Sequence, residues 1–205
     1  MLGDLSRLYE SNGDPGCISN GWGDAGGKSY GMYQLASRMG SVNSYLGWCK
    51  RAGYWFADYL MEHEVGSAGF DAAWSYLANS ENRADFANSQ HDYIKYAYYD
   101  PAISALKAAM YDVEGKHSAV MRDVVWSRAV QYGTGYIVEM FTDAVKSLGY
   151  PNLSYVDDSR FDADMINAVY LNVCSTPEWT SGSPALRRGL YSRFKNECND
   201  ALEML

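Results

Sequence analysis

From residue 41 onwards the apolar positions recur at intervals of three and four, the spacing of a helix face, and not in the alternation of a half-buried strand. In SVNSYLGWCKRAGYWFADYLMEHE (41–64), Val42, Tyr45, Leu46, Cys49, Ala52 and Phe56 share one side, and Ser41 is placed to cap the N-terminus. FDAAWSYLAN (70–79) predicts a short helix. NRADFANSQHDYIKYAYY (82–99) predicts another, stopping before Asp100-Pro101, and Pro101 suits the first turn of the next, PAISALKAAMYD (101–112). SAVMRDVVWSRAVQYG (118–133) is apolar on most faces, the mark of a helix buried at the centre of a fold. TGYIVEMFTDAVKSLG (134–149) follows a glycine break and ends at Gly149 as a C-cap. DSRFDADMINAVYLNVCS (158–175) and SPALRRGLYSRFKNECNDALEML (183–205) complete the series. The last of these begins at Ser183-Pro184 and sets Arg193 one turn before Glu197.

The N-terminal part reads differently. GDLSRLYES is helical, with Leu5, Leu8 and Tyr9 on a core-facing stripe. A run rich in Gly, Asn, Ser, Asp and Pro then extends to the ordered-looking YGMYQLAS (30–37). Strand signals are weak, with no period-2 segment flanked by hairpin turns. The expected fold is mainly α: a single helical domain over 1–205, with a long Gly-rich loop or short β-ribbon near the N-terminus.

Composition narrows the functional classes. With 47% apolar and 20% charged residues, the chain can bury a sizeable core. A net charge of −8 argues against nucleic acid as a partner, because phosphate contacts need a concentrated basic footprint. No apolar run approaches the roughly 18–20 residues of a membrane span, so no membrane insertion is expected. Met1-Leu2-Gly3-Asp4 carries no signal-peptide pattern, and Glu10 lies so near Met1 that an upstream segment is expected. Cys17, Cys49, Cys174 and Cys198 are dispersed without a CxxC pair, and His63, His91 and His117 are equally scattered. No metal site and no cofactor are therefore expected, and free thiols are the default. The outlying quantity is aromatic content, 15%, with 18 Tyr and 6 Trp. Such rings fill cores, and they also line grooves that take sugars.

Two carboxylates carry the chemistry. Glu10 falls at the C-terminal end of the opening helix, where the helix dipole disfavours a negative charge and so tends to keep a carboxyl protonated. That is the property of a general acid; the plainer reading is a solvated helix-end glutamate. Asp24 sits among glycines in NGWGDAGG, as a simple turn former or as a side chain presented to a ligand. Facing each other across a groove, two carboxylates suit glycoside hydrolysis: roughly 6.5–9.5 Å leaves room for a water and inverts, and about 5 Å retains.

These residues resemble a known group. ES followed by a polar loop and YGMYQLAS resembles the "ES … GLMQ" signature of the lysozyme-like lytic transglycosylases. NGWGDAGGKSYGMYQL (20–35) is closer still to the corresponding segment of goose-type lysozymes, with one inserted residue. AVQYGTGYIVEMF (129–141) resembles the transglycosylase segment that brings a Tyr near the scissile bond, and LRRGLYSRFKNE is loosely similar to the Arg-rich last helix of phage lysozymes. The Gly-rich loop followed by SYG is also similar to the chitosanase branch of that superfamily. The resemblance implies Glu10 as catalytic acid and Asp24 as the carboxylate that positions water. It places Ser11 beside the acid, with Tyr30, Tyr33, Gln34 and Tyr132 binding the glycan. Goose-type enzymes carry another Asp two residues after the Gln, where this chain has Ala36.

The function so implied is a peptidoglycan β-1,4-glycosidase of muramidase type, acting on glycan strands as a monomer or as part of a longer protein. Its expected origin is a phage-encoded protein, made in the host cytoplasm and released to the wall, or virion-associated. Three alternatives stay open: a lytic transglycosylase, a chitosanase-like hydrolase, and a glycan-binding module without activity.

Overall fold

The computed structural model of the chain describes residues 2–3, 5, 9, 12–21, 26–174 and 184–205, with the backbone alone at 185 and 186. Two compact units divide it: residues 10–96 form one, and residues 1–9 with 97–205 form the other. The expected helical fold with a small ribbon near the N-terminus is what is found.

In the 10–96 unit, strands β1 (Ile18–Ser19), β2 (Ser29–Tyr30) and β3 (Leu35–Ala36) form an antiparallel sheet in that order. Ile18 pairs with Tyr30, and Tyr30 with Leu35. Helices α1 (Ser41–Ala52), α2 (Phe56–Met61), α3 (Ala68–Asn79) and α4 (Arg83–Ile94) follow. The 41–64 stretch is two helices and not one, because Gly53 at φ 83° ends α1 in the left-handed conformation. Ser41 is the first helical residue, and the cap position belongs to Gly40. The core is aromatic. Trp74, fully buried, meets Phe86 at 4.7 Å, Tyr30 at 5.3 Å, Tyr45 at 5.8 Å and Phe70 at 5.9 Å between ring centroids. Such tilted and edge-on pairs add to the area they bury.

The expected stop before Asp100 is absent. Lys95–Tyr99 forms a π-turn that runs directly into α5 (Asp100–Ala108), with Pro101 in its first turn. The widened turn relieves the clash of the proline ring with the carbonyl four residues back.

In the other unit, α6 (Val113–Lys116), α7 (Ala119–Tyr132), α8 (Ile137–Ser147), α9 (Asp162–Val173) and α10 (Pro184–Glu203) follow α5. As its pattern predicts, α7 is buried on nearly all faces, from Val120 to Ala129. Two of its buried polar residues have distant partners. Asp123 accepts from the backbone N–H of Gly3 at 2.8 Å, which anchors that residue to α7. Arg128 pairs with Glu197 of α10 at 2.6 Å, both fully buried. Gly149 ends α8 as expected, its N–H bonded to Lys146 O while Tyr150 N–H reaches Val145 O.

Candidate functional site

The residues singled out by sequence divide three ways. Glu10, Ser11 and Asp24 lie outside the described residues. Tyr30, Tyr33 and Gln34 come together on the β2–β3 turn of the 10–96 unit, and Tyr132, at the end of α7, belongs to the other unit.

Tyr30 does not reach solvent. Its ring is fully buried against Phe70 and Trp74, and its hydroxyl donates to Asp71 Oδ1 at 2.5 Å. Burial, then the bond to the Asp71 carboxylate, pushes its pKa well above the ordinary tyrosine value. A direct glycan contact by Tyr30 is therefore corrected to a packing role: the small ribbon has no hydrophobic layer of its own and borrows this ring to dock on α3. Tyr33 is buried as well and shares a hydrogen bond with His91 Nδ1 at 3.0 Å. Gln34 is half-buried and sits at φ 48°, a left-handed conformation that a non-glycine residue holds only where its surroundings impose it. Its amide donates to Gly31 O at 3.0 Å, which closes the turn on itself. Tyr132 is half-buried beside Phe194; desolvation lifts its phenol to about 12, with Arg128 pulling the other way.

Around this turn stands a set of supporting contacts with no sequence signal. Asp71, in the first turn of α3, takes Tyr30 through one oxygen and Lys28 Nζ through the other, at 2.5 Å, and Lys28 also donates to Gly66 O at 2.9 Å. Buried Gln90 of α4 accepts from Met32 N–H at 2.9 Å and donates to Pro15 O at 3.1 Å, and Trp74 Nε1 donates to the same carbonyl. One side chain thus ties together two distant points of the glycine-rich segment. By spacing, Asp71 is an ordinary helix-start acid and Gln90 an ordinary polar helix residue, so neither was legible beforehand.

A cleft of about 440 Å³ opens beside the ribbon, lined among others by Gly21, Gly27, Lys28, Arg38, Glu64 and Ser67. Gly21 and Gly27 flank in sequence the segment that carries Asp24. Gly21 stands at φ 62°, and a Cβ there would lie 2.0 Å from Gly27 O, so the two backbones meet at a distance only glycine permits. Arg38 N–H bonds to Gly26 O and Ser37 N–H to Lys28 O, which fixes the C-terminal root of that segment. The four cysteines are free. Among the described residues, no group of three or more His, Cys, Asp or Glu side chains is placed to hold a metal ion, and no helix is long and apolar enough to cross a membrane.

The arrangement defines a class: a mainly helical fold with an N-terminal β-ribbon that it shares with chitosanases. A native chitosanase from Bacillus subtilis MY002 superposes with TM-score 0.65 at 19% identity, over 98% of this chain and 87% of that one. A mutant of the same enzyme, complexed with 6 GlcN, gives 0.61 at 19% identity over the same shares. The chitosanase OU01 in co-crystal with substrate gives 0.56 at 16%, over 93% and 87%. Within that fold the family is specific: residues 2–198 match the model of the type VI secretion system spike protein VgrG3-like C-terminal region, and the chain belongs to that family. It is 37% identical, over 133 residues, to the type VI secretion system spike protein VgrG3 of Vibrio cholerae serotype O1. That match takes in 64% of this chain and 12% of the length of that relative. The phage origin expected from the lysozyme resemblance is overturned here, because the matching family is that of a secretion-system spike protein.

Proposed function

We propose that this chain is a glycan-cleaving hydrolase of lysozyme-like type, the wall-degrading portion of a secretion-system spike protein, with peptidoglycan strands as its substrate. Glu10 protonates the glycosidic oxygen, and Asp24 orients the attacking water on the opposite face of the sugar. The two units together make one catalytic domain, a reading supported by a family match that spans both. The observation that carries the proposal is the segment between Glu10 and Gln34. It is glycine-rich, holds a central Asp, is anchored at Pro15, Lys28, Tyr30 and Met32, and ends in a Gln held at φ 48°. A long loop anchored this firmly and ending in local backbone strain is what positioned catalytic side chains require. Tyr33 acts here by positioning the turn, and Gln34 and Tyr132 present polar edges to the glycan.

The test is Glu10→Gln on purified sacculi. The parent chain clears them and releases reducing ends, and the variant, with its fold intact by circular dichroism, does not. Normal clearing by Glu10→Gln refutes the assignment. Mass spectrometry of the products separates mechanisms, since a 1,6-anhydro-muramyl end marks transglycosylation and a reducing end marks hydrolysis. A second reading, cleavage of chitosan, is favoured by the fold neighbours, and relative rates on chitosan and sacculi decide between the two.

A further inference from the structure

Among the described rings of the 10–96 unit that are not buried, one array stands on α2 and α3. Trp55 and Tyr59 lie one turn apart, with ring centroids 6.4 Å apart at 39°. Tyr59 meets Tyr76 of α3 at 6.1 Å and His63 at 6.4 Å. Trp55 is 56% and Tyr76 59% exposed, while Tyr59 and His63 are half-buried beneath them. The surface is built and not incidental. Trp55 and Tyr59 stand one turn apart at the start of α2, and Glu62 and His63 lie in the turn that follows its last residue, Met61. Opposite it, α3 shows Gly69, Ala72 and Tyr76 at helical spacing, and a Cβ on Gly69 would lie 2.9 Å from His63 Nδ1. The missing side chain at Gly69 therefore lets the His63 ring approach α3 closely.

The occupant follows from area and chemistry. A fully buried aromatic side chain removes roughly 150–250 Å² from water, so these four rings at their observed exposure present on the order of 300 Å². A persistent protein partner, a second copy included, needs roughly 800 Å² per side. Each ring also carries a polar edge, an indole N–H, phenol hydroxyls or an imidazole, and exposed Glu62 is the chain neighbour of His63. Flat apolar faces edged by donors and acceptors match pyranose rings, whose axial C–H groups are apolar and whose equatorial hydroxyls are not. We infer that Trp55, Tyr59, His63 and Tyr76 form a binding platform for the sugar faces of a β-1,4-linked amino-sugar strand. The inference rests on the proposed function only in its choice of ligand.

Retention on insoluble sacculi, measured by depletion of the Glu10→Gln protein so that no strand is cut, tests it. Hexamers of N-acetylglucosamine and of glucosamine, added as soluble competitors, tell which strand chemistry the platform takes. Trp55→Ala and Tyr76→Ala should each weaken retention about three- to tenfold, the size of one aromatic contact. Trp55→Phe should keep most of it, and the melting temperature should hold because both side chains are exposed. Alanine variants that bind sacculi and both hexamers within twofold of the parent overturn the inference. So does a parent chain that runs as a dimer and that Trp55→Ala converts to monomer, because a second copy then covers the rings. Loss of retention with sacculi clearing intact upholds the platform, and failure of the parent chain to clear sacculi refutes the proposed activity without touching the retention series.

Discussion

The buried pair of Arg128 and Glu197 gives the sharpest test of how α7 is held. Both side chains are 0% exposed and meet at 2.6 Å. Ser127 hydrogen-bonds Glu197 and accepts from Arg128 at 3.0 Å, and the guanidinium lies 4.5 Å from the Tyr170 ring centroid and 5.1 Å from that of Phe194. Glu197→Gln keeps the shape and removes the charge, leaving a cation sealed from water. Breaking a buried pair on one side costs about 3–5 kcal/mol. For a chain of this length each kcal/mol moves the melting temperature by roughly 2–4 °C, so a fall of about 6–20 °C is expected. Replacing both partners, as Arg128→Met with Glu197→Leu, removes the desolvation cost together with the attraction and should recover most of that loss. The assay is a double-mutant cycle by urea unfolding, followed by circular dichroism and by tryptophan fluorescence, since Trp126 lies on the same helix. A Glu197→Gln loss below about 1 kcal/mol, or a double variant no better than the worse single one, refutes this account.

Tyr30→Phe removes one hydrogen bond without a cavity and should cost about 1 kcal/mol, while Tyr30→Ala empties the ring's place against Trp74 and should cost about 3–5 kcal/mol; urea midpoints compare them. Gly21→Ala puts a Cβ where Gly27 O stands and forces a left-handed alanine, so it should lower both stability, by more than about 1 kcal/mol, and the sacculi clearing rate. Burial alone would raise the Asp157 and Asp162 carboxyls, but Lys116 and the Asp112 N–H hold the first below its ordinary value, and His117 and the Ser118 N–H hold the second there. Groups depressed in the folded state contribute stability that is complete above the unfolded pKa of about 4 and is lost as pH falls through the folded value. Asp162→Asn should accordingly flatten the acid limb of melting temperature against pH, and a curve parallel to the parent's would refute it.

The helices were legible because their apolar spacing is local, and the errors fall where a distant contact or a backbone detail decides. Gly53 divides what reads as one amphipathic stretch, and the π-turn carries the chain past a proline that reads as a stop. Glu197 shows the limit most clearly. Spacing offers Arg193 as its partner, and that nitrogen does come to 3.8 Å, but the close pairing at 2.6 Å is with Arg128, 69 positions away. No helical period records such a pairing. An arginine in an apolar helix is visible in sequence, and the carboxylate that neutralises it is not.

The glycine-rich segment was legible as unusual, and what it needs from the rest of the fold was not. Ordering each residue of such a segment costs roughly 1–2 kcal/mol of backbone entropy, which its own small polar side chains cannot offset by burial. The cost has to be met from outside. Here α3 and α4 meet it, through Trp74 and Gln90 at Pro15, Gln90 at Met32, and Asp71 at Lys28 and Tyr30. The aromatic excess thereby acquires a second cause beside sugar contact. Tyr30 and Trp74 are buried not to touch a ligand but to give a loop without a core something to pack against, whereas Trp55 and Tyr76 stay exposed. Composition could not separate those two sets; burial does. The separation makes opposite predictions for the same chemical change: removing a ring at Tyr30 should unfold the ribbon, while removing one at Trp55 should leave the fold alone and loosen only the strand it holds.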